Sequence, residues 1–161
     1  MKSEISMNGR HIEIIYCDDI RHEVGGKVSL IGIYFNVLFV REFPVSLPKL
    51  CFFARLISPL DHPIRSLTLR IFKDDDLLKE FSIDDDLLSI DAPSLEESPD
   101  ENLADHATVH QFNVVISPIV LEEPGKIRVH AQTEEGEMKA LSLRIEQMEE
   151  QVSNEDCGGS S

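Results

Sequence analysis

Pro124-Gly125-Lys126-Ile127-Arg128-Val129-His130-Ala131-Gln132-Thr133-Glu134-Glu135-Gly136 is the stretch that decides the fold. Ile127, Val129 and Ala131 alternate with Arg128, His130 and Gln132. A period of two belongs to a strand with one face in a core and one in water, and it does not build one face of a helix. Pro124-Gly125 launches this strand, and Glu135-Gly136 folds the chain back as a hairpin.

The same alternation extends outward in both directions. Leu141, Leu143 and Ile145 alternate with Ser142 and Arg144, which predicts that all three face the core. Phe112, Val114 and Ile116, and earlier Leu67, Leu69 and Ile71, repeat the pattern. Ile12–Cys17, Val28–Val40 and Leu50–Ile57 are instead apolar on both faces, as central or covered strands are. Val28–Val40 is long for one strand, and Gly32 or Asn36 marks a bulge or bend within it. Turn signals separate the segments: Gly25-Gly26, Pro44 and Pro48, Pro59 and Pro63, and Asp74-Asp75-Asp76. The expectation is an all-β domain, a single antiparallel β-sandwich of about eight strands, immunoglobulin-like or C2-like. It spans residues 11–146, between a flexible N-terminus (1–10) and a disordered acidic tail (147–161). Ile145, Met148 and Val152 have helical spacing, so a short C-terminal helix is also expected. Residues 91–106, acidic and containing Pro93 and Pro99, read as a long loop.

The composition limits the function. Of the 161 residues 42% are apolar, enough for a real core, and the formal net charge is −15. That charge is uneven: residues 1–73 carry ten Lys/Arg and seven Asp/Glu, residues 74–161 five and 23. A field of this sign repels phosphate backbones and anionic membrane, so neither nucleic acid nor membrane is an expected partner. No apolar run reaches the roughly 18–20 residues of a membrane span, and the start lacks the apolar core of a signal peptide. Cys17, Cys51 and Cys157 are too few and scattered for a disulfide framework or a zinc site, which points to the cytoplasm.

No motif of phosphate binding, serine hydrolysis or zinc proteolysis is present, so neither a catalytic site nor a cofactor is expected. His106 and His110 would share a metal on a helix, but on a strand they lie about 13 Å apart. The aspartate triplets Asp74, Asp75, Asp76 and Asp84, Asp85, Asp86 suggest calcium. Placed at opposite ends of a strand they are roughly 20 Å apart, too far for one joint site. Asp18 and Asp19, followed by Arg21 and Lys27, set opposite charges around one tight connection, a structural corner or an interaction site. Gly158-Gly159 has the form of a conjugation-type end.

The run Tyr16-Cys17-Asp18-Asp19-Ile20-Arg21, then Glu23, Gly25-Gly26-Lys27 and Gly32-Ile33-Tyr34, resembles a family of bacterial and phage proteins known only as a domain of unknown function. That family's N-terminal half carries a CDD-(I/V)-R strand end, a GGK turn and a G-x-Y strand. The likeness continues through Phe43-Pro44, Leu47-Pro48 and the Pro124-Gly125 hairpin. It implies a small β-sandwich of bacterial or phage origin and assigns no activity to any residue. The leading expectation is therefore a non-enzymatic module that binds a protein through loop 91–106 or an exposed strand edge. The alternatives are a calcium-binding domain or metal-dependent hydrolase, and an acidic phage-type inhibitor that imitates nucleic-acid charge.

Overall fold

The computed structural model describes residues 9–83, 88 and 107–149. Among them the chain forms β1 (His11–His22), β2 (Val28–Tyr34), β3 (Val37–Val40), β4 (Val45–Leu47), β5 (Leu50–Pro59) and β6 (Leu67–Lys73). It continues as β7 (Asp76–Ile83), β8 (Ala107–Ile116), β9 (Ile119–Leu121), β10 (Gly125–Thr133), β11 (Gly136–Lys139) and β12 (Leu143–Gln147). One sheet runs β2-β1-β5-β8 and the other β3-β12-β10-β6-β7, with β11 also on β10. A two-stranded ribbon, β4-β9, completes the fold.

The all-β sandwich follows from the alternation. Tyr16, Leu50 and Phe52 of the first sheet meet Leu38, Ile71, Val129 and Ile145 of the second in one core, to which β9 adds Ile119 and Leu121. A second cluster joins Leu56, Leu67, Leu69 and Ala131, and Leu88 packs there. Of the three runs apolar on both faces, two, β1 and β5, are the central strands of the first sheet, paired from His11↔Ile57 to Cys17↔Cys51; the third, Val28–Val40, forms the edge strands β2 and β3 instead.

The structure corrects four expectations. The described residues form twelve strands rather than about eight: one long apolar run divides where the chain changes sheet, and the short strands β4, β9 and β11 add three more. Val28–Val40 breaks at Phe35-Asn36, so β2 ends one sheet and β3 the other. The sandwich is not wholly antiparallel, since β3 lies parallel to β12. The C-terminal helix does not form at Ile145 and Met148: Leu143–Gln147 is a strand held by β10 on one side and β3 on the other, and the Met148 N–H donates to the Val40 carbonyl at 2.8 Å. Pairing on both sides satisfies backbone groups that so short a helix would leave open. Finally, Leu141 is exposed rather than in the core. It sits at the step where the chain passes from β11 to β12 along one side of β10, and its carbonyl accepts the Tyr16 hydroxyl at 2.7 Å.

Arg10, within the stretch expected to be flexible, is only 4% exposed. Its guanidinium donates to the carbonyls of His62 (3.1 Å) and Pro63 (2.6 Å) and to Glu134 Oε1 (2.7 Å). Glu134 Oε2 accepts the amides of Arg65 and Ser66, each at 3.1 Å. The start of β1, the β5–β6 connection and the β10–β11 turn are thereby fastened together. Burial alone would raise the Glu134 pKa, but the amide bonds and Arg10 outweigh it and bring it down to about 2 from 4.5. A carboxylate depressed in the folded state stabilises fully above its unfolded pKa and loses that contribution as pH falls through the folded one. The expected contribution is about 1–2 kcal/mol after allowance for solvent screening, present above pH 4.5 and lost towards pH 2. Urea unfolding across this window should show a shallower acid slope for Glu134→Gln; identical slopes would remove Glu134 as its source.

Candidate functional site

The charged corner at the end of β1 is assembled from three strands. Along β1, Tyr16 and Asp18 share one face, and Cys17, Asp19 and Arg21 the other. Asp18 lies across Gly32 on β2, where an added Cβ would fall inside the Asp18 carboxylate. Gly32 has a φ of 66°, a conformation L side chains avoid. Over this gap the Tyr34 hydroxyl donates to Asp18 Oδ1. Burial first, and then the Asp18 bond, push the Tyr34 pKa upward. The glycine and tyrosine of the G-x-Y strand are thus two parts of one seat for Asp18.

Asp19 points to the other face. Lys49 Nζ donates to its Oδ1 at 2.5 Å, and Arg21 Nε stands 3.7 Å from its Oδ2. The Lys49 hydrogen bond holds the Asp19 carboxyl below its ordinary range and, reciprocally, the Lys49 ammonium above its own. Sequence reading missed Lys49, which follows Leu47-Pro48 and reaches the corner only because β5 pairs with β1. Lys27 is not brought there. It sits in the hairpin tip, where the Glu23 N–H donates to its carbonyl at 2.8 Å.

Cys17 and Cys51 are directly opposite one another and buried. Ile33 of β2 and Val115 of β8 extend the same row on either side. Burial, then the neighbouring thiol, push Cys17 up to about 11, and burial raises Cys51 as well. Both thiols are protonated at neutral pH and poor nucleophiles. With Asp18 engaged by Tyr34 and Asp19 by Lys49, the corner pairs no nucleophile with a base. Its chemistry is that of a clasp.

The aspartates at the β6–β7 turn make a second clasp. Asp74 has a φ of 53°. Its carboxylate takes the Lys73 ammonium and the Lys126 amide (2.9 Å), and it fills the space left by Gly125. Arg128 donates to the Asp74 carbonyl and, at 3.1 Å, to Asp75. The bond to Lys73 holds the Asp74 carboxyl below its ordinary value. The oxygens best placed for calcium already face cations, and Asp76 begins β7. Among the described residues no three His, Cys, Asp or Glu side chains converge as a metal group would require. Asp84, Asp85, Asp86, His106, the 91–106 segment and Gly158-Gly159 lie outside the described residues. His110 is buried on β8. A polar depression of about 240 Å³ is lined by Arg10, His62, Arg65, Glu134 and Glu135. His62 Nε2 and Glu135 Oε1 are 2.7 Å apart there, and Arg10 pairs with Glu134.

The acidity is localised. The described residues carry fourteen Lys/Arg and seventeen Asp/Glu, whereas 84–106 carry nine acids and 150–161 three, with no Lys or Arg in either. A charge-imitating surface would have to come from those two segments.

What the described surface does offer is an apolar strip on one continuous piece of chain. Val24 is exposed at the β1–β2 tip, Ile31 and Ile33 on β2, and Phe39 on β3. Phe35, at the corner between the two strands, is 97% exposed.

The Asp18 seat predicts that Gly32→Ala costs about 2–3 kcal/mol, from the left-handed backbone and the displaced carboxylate. Combining it with Asp18→Ala should recover part of the loss. A double-mutant cycle by urea unfolding measures this, and strictly additive losses would show that the two positions are independent.

Comparison with known proteins finds a domain of unknown function. No curated protein and no solved structure matches the chain, and among the described residues no helix is long and apolar enough to cross a membrane. A family model matches residues 13–146, from the third residue of β1 through most of β12: the chain belongs to the family of unknown function DUF6941.

Proposed function

We propose that the chain is a non-enzymatic protein-interaction module of bacterial or phage origin, working in the cytoplasm, that docks its partner through the β2 edge and the Phe35 corner. The observation that carries the reading is Phe35: a phenyl ring 97% exposed, at the junction of two edge strands, beside Ile31 and Ile33. Burying such a ring is worth about 2–3 kcal/mol, and contiguous apolar surface on a rigid scaffold is the usual mark of a protein contact. An edge strand adds main-chain hydrogen bonds to that contact. The buried protonated thiols, opposite yet unbonded, suit a reducing compartment. The origin rests on the motif resemblance at β1 and β2.

The experiment is affinity purification from the native host with a photo-crosslinking phenylalanine at position 35. Phe35→Ser and Ile33→Lys should lose the captured partner while the melting temperature holds, because both side chains face solvent. A variant lacking 92–105 should keep it. Capture lost on that deletion but kept in the edge variants would move the contact to the acidic segment and overturn this reading.

A further inference from the structure

The two large sheets end in four edge strands: β2, β8, β3 and β7. Two of them carry what natural edges use against pairing. β7 has Asp76, Lys79 and Glu80, and β3 is four residues long. β8 itself has no Lys, Arg, Asp or Glu, but the nine-acid segment 84–106 rejoins the described chain there. β2, Val28-Ser29-Leu30-Ile31-Gly32-Ile33-Tyr34, has neither charge nor proline, and from Val24 to Val40 the only charged residue is Lys27.

We propose that the occupant of this edge is a second copy of the chain, its β2 pairing antiparallel with the first across a twofold axis and fusing two four-stranded sheets into one of eight. This names the partner of the docking edge and rests on that reading. Charge placement supports the second copy. The nine-acid segment 84–106 leaves from β7 and returns at β8, the strands at the far ends of both sheets from β2 and β3. Pairing through β8 would set the two strands at which these segments rejoin the described chain side by side. Pairing through β2 sets those two β8 strands roughly 34 Å apart, at seven strand spacings, against a Debye length of about 8–10 Å. Repulsion between two chains of −15 is thus less at β2 than at β8, the other long edge without charged side chains.

The strip also complements itself. With the axis at Ile31, the middle of β2, antiparallel pairing sets Ile31 beside its own copy and Leu30 opposite Gly32, large against absent. It carries each Phe35 to the other copy's hairpin tip, where Val24 is exposed and Lys27 supplies a cation for the ring. A strip with apolar groups at both ends of one strand is filled at both ends only by its reverse.

Sedimentation velocity of the full chain over micromolar concentrations tests this. The wild type should sediment at twice 18.2 kDa. Ile31→Lys should be monomeric with its melting transition retained, since two lysines would meet on the axis. Mixing Ile31→Lys with Ile31→Glu should restore the dimer. A wild type that stays at 18.2 kDa, or a dimer that survives Ile31→Lys, would overturn the second copy. A monomer whose position-35 cross-linker still captures another protein overturns the second copy alone and leaves the docking edge in place.

Discussion

The pairing of β1 with β5 is the constraint on which the other elements depend. Seven consecutive residue pairs, His11↔Ile57 to Cys17↔Cys51, set two apolar strands side by side at the centre of the first sheet. Their inner faces give the core Tyr16 and Phe52, whose rings meet edge to face at 5.5 Å between centroids. Their outer faces carry the thiol row. The same register brings Lys49, just ahead of β5, beside Asp19, near the end of β1. A slip of one residue would turn every one of these side chains to the wrong face.

Clasps at the turns hold that register from outside. Arg10 with Glu134, Asp18 with Tyr34 over Gly32, and Asp74 with Lys73 and Lys126 each join segments far apart in the chain. Each spends its charge internally. Asp18, Asp19 and Asp74 therefore meet partners within the chain, while the acids in excess fall in the segments at 84–106 and 150–161.

The sheets were legible where one face is wet. Strands β6, β8 and β10 show their alternation openly, and β1 and β5, apolar on both faces, are central, whereas Val28–Val40, equally apolar, supplies two edges. Reading failed where tertiary pairing, rather than pattern, sets the outcome. Asn36 marks the bend between β2 and β3, but nothing local says that the two join different sheets. The spacing of Ile145 and Met148 suits a helix until β3 and β10 claim the backbone. Leu141 keeps the alternation yet falls at a step between strands. Of the candidate corner, Asp18, Asp19 and Arg21 were visible as a cluster, but Lys49 and the Gly32–Tyr34 seat needed the register. The Phe35 strip was missed because a phenylalanine in an apolar run reads as core; the bend that expels it is marked only by Asn36.

The row Ile33, Cys17, Cys51, Val115 crosses the whole first sheet, with its two thiols buried at the centre. An alkylating reagent reaches them only when the sheet locally opens. The fold thereby contains its own clock: the alkylation rate of Cys17 counts how often β2 lifts away, and anything seated along that strand slows the count without touching a cysteine.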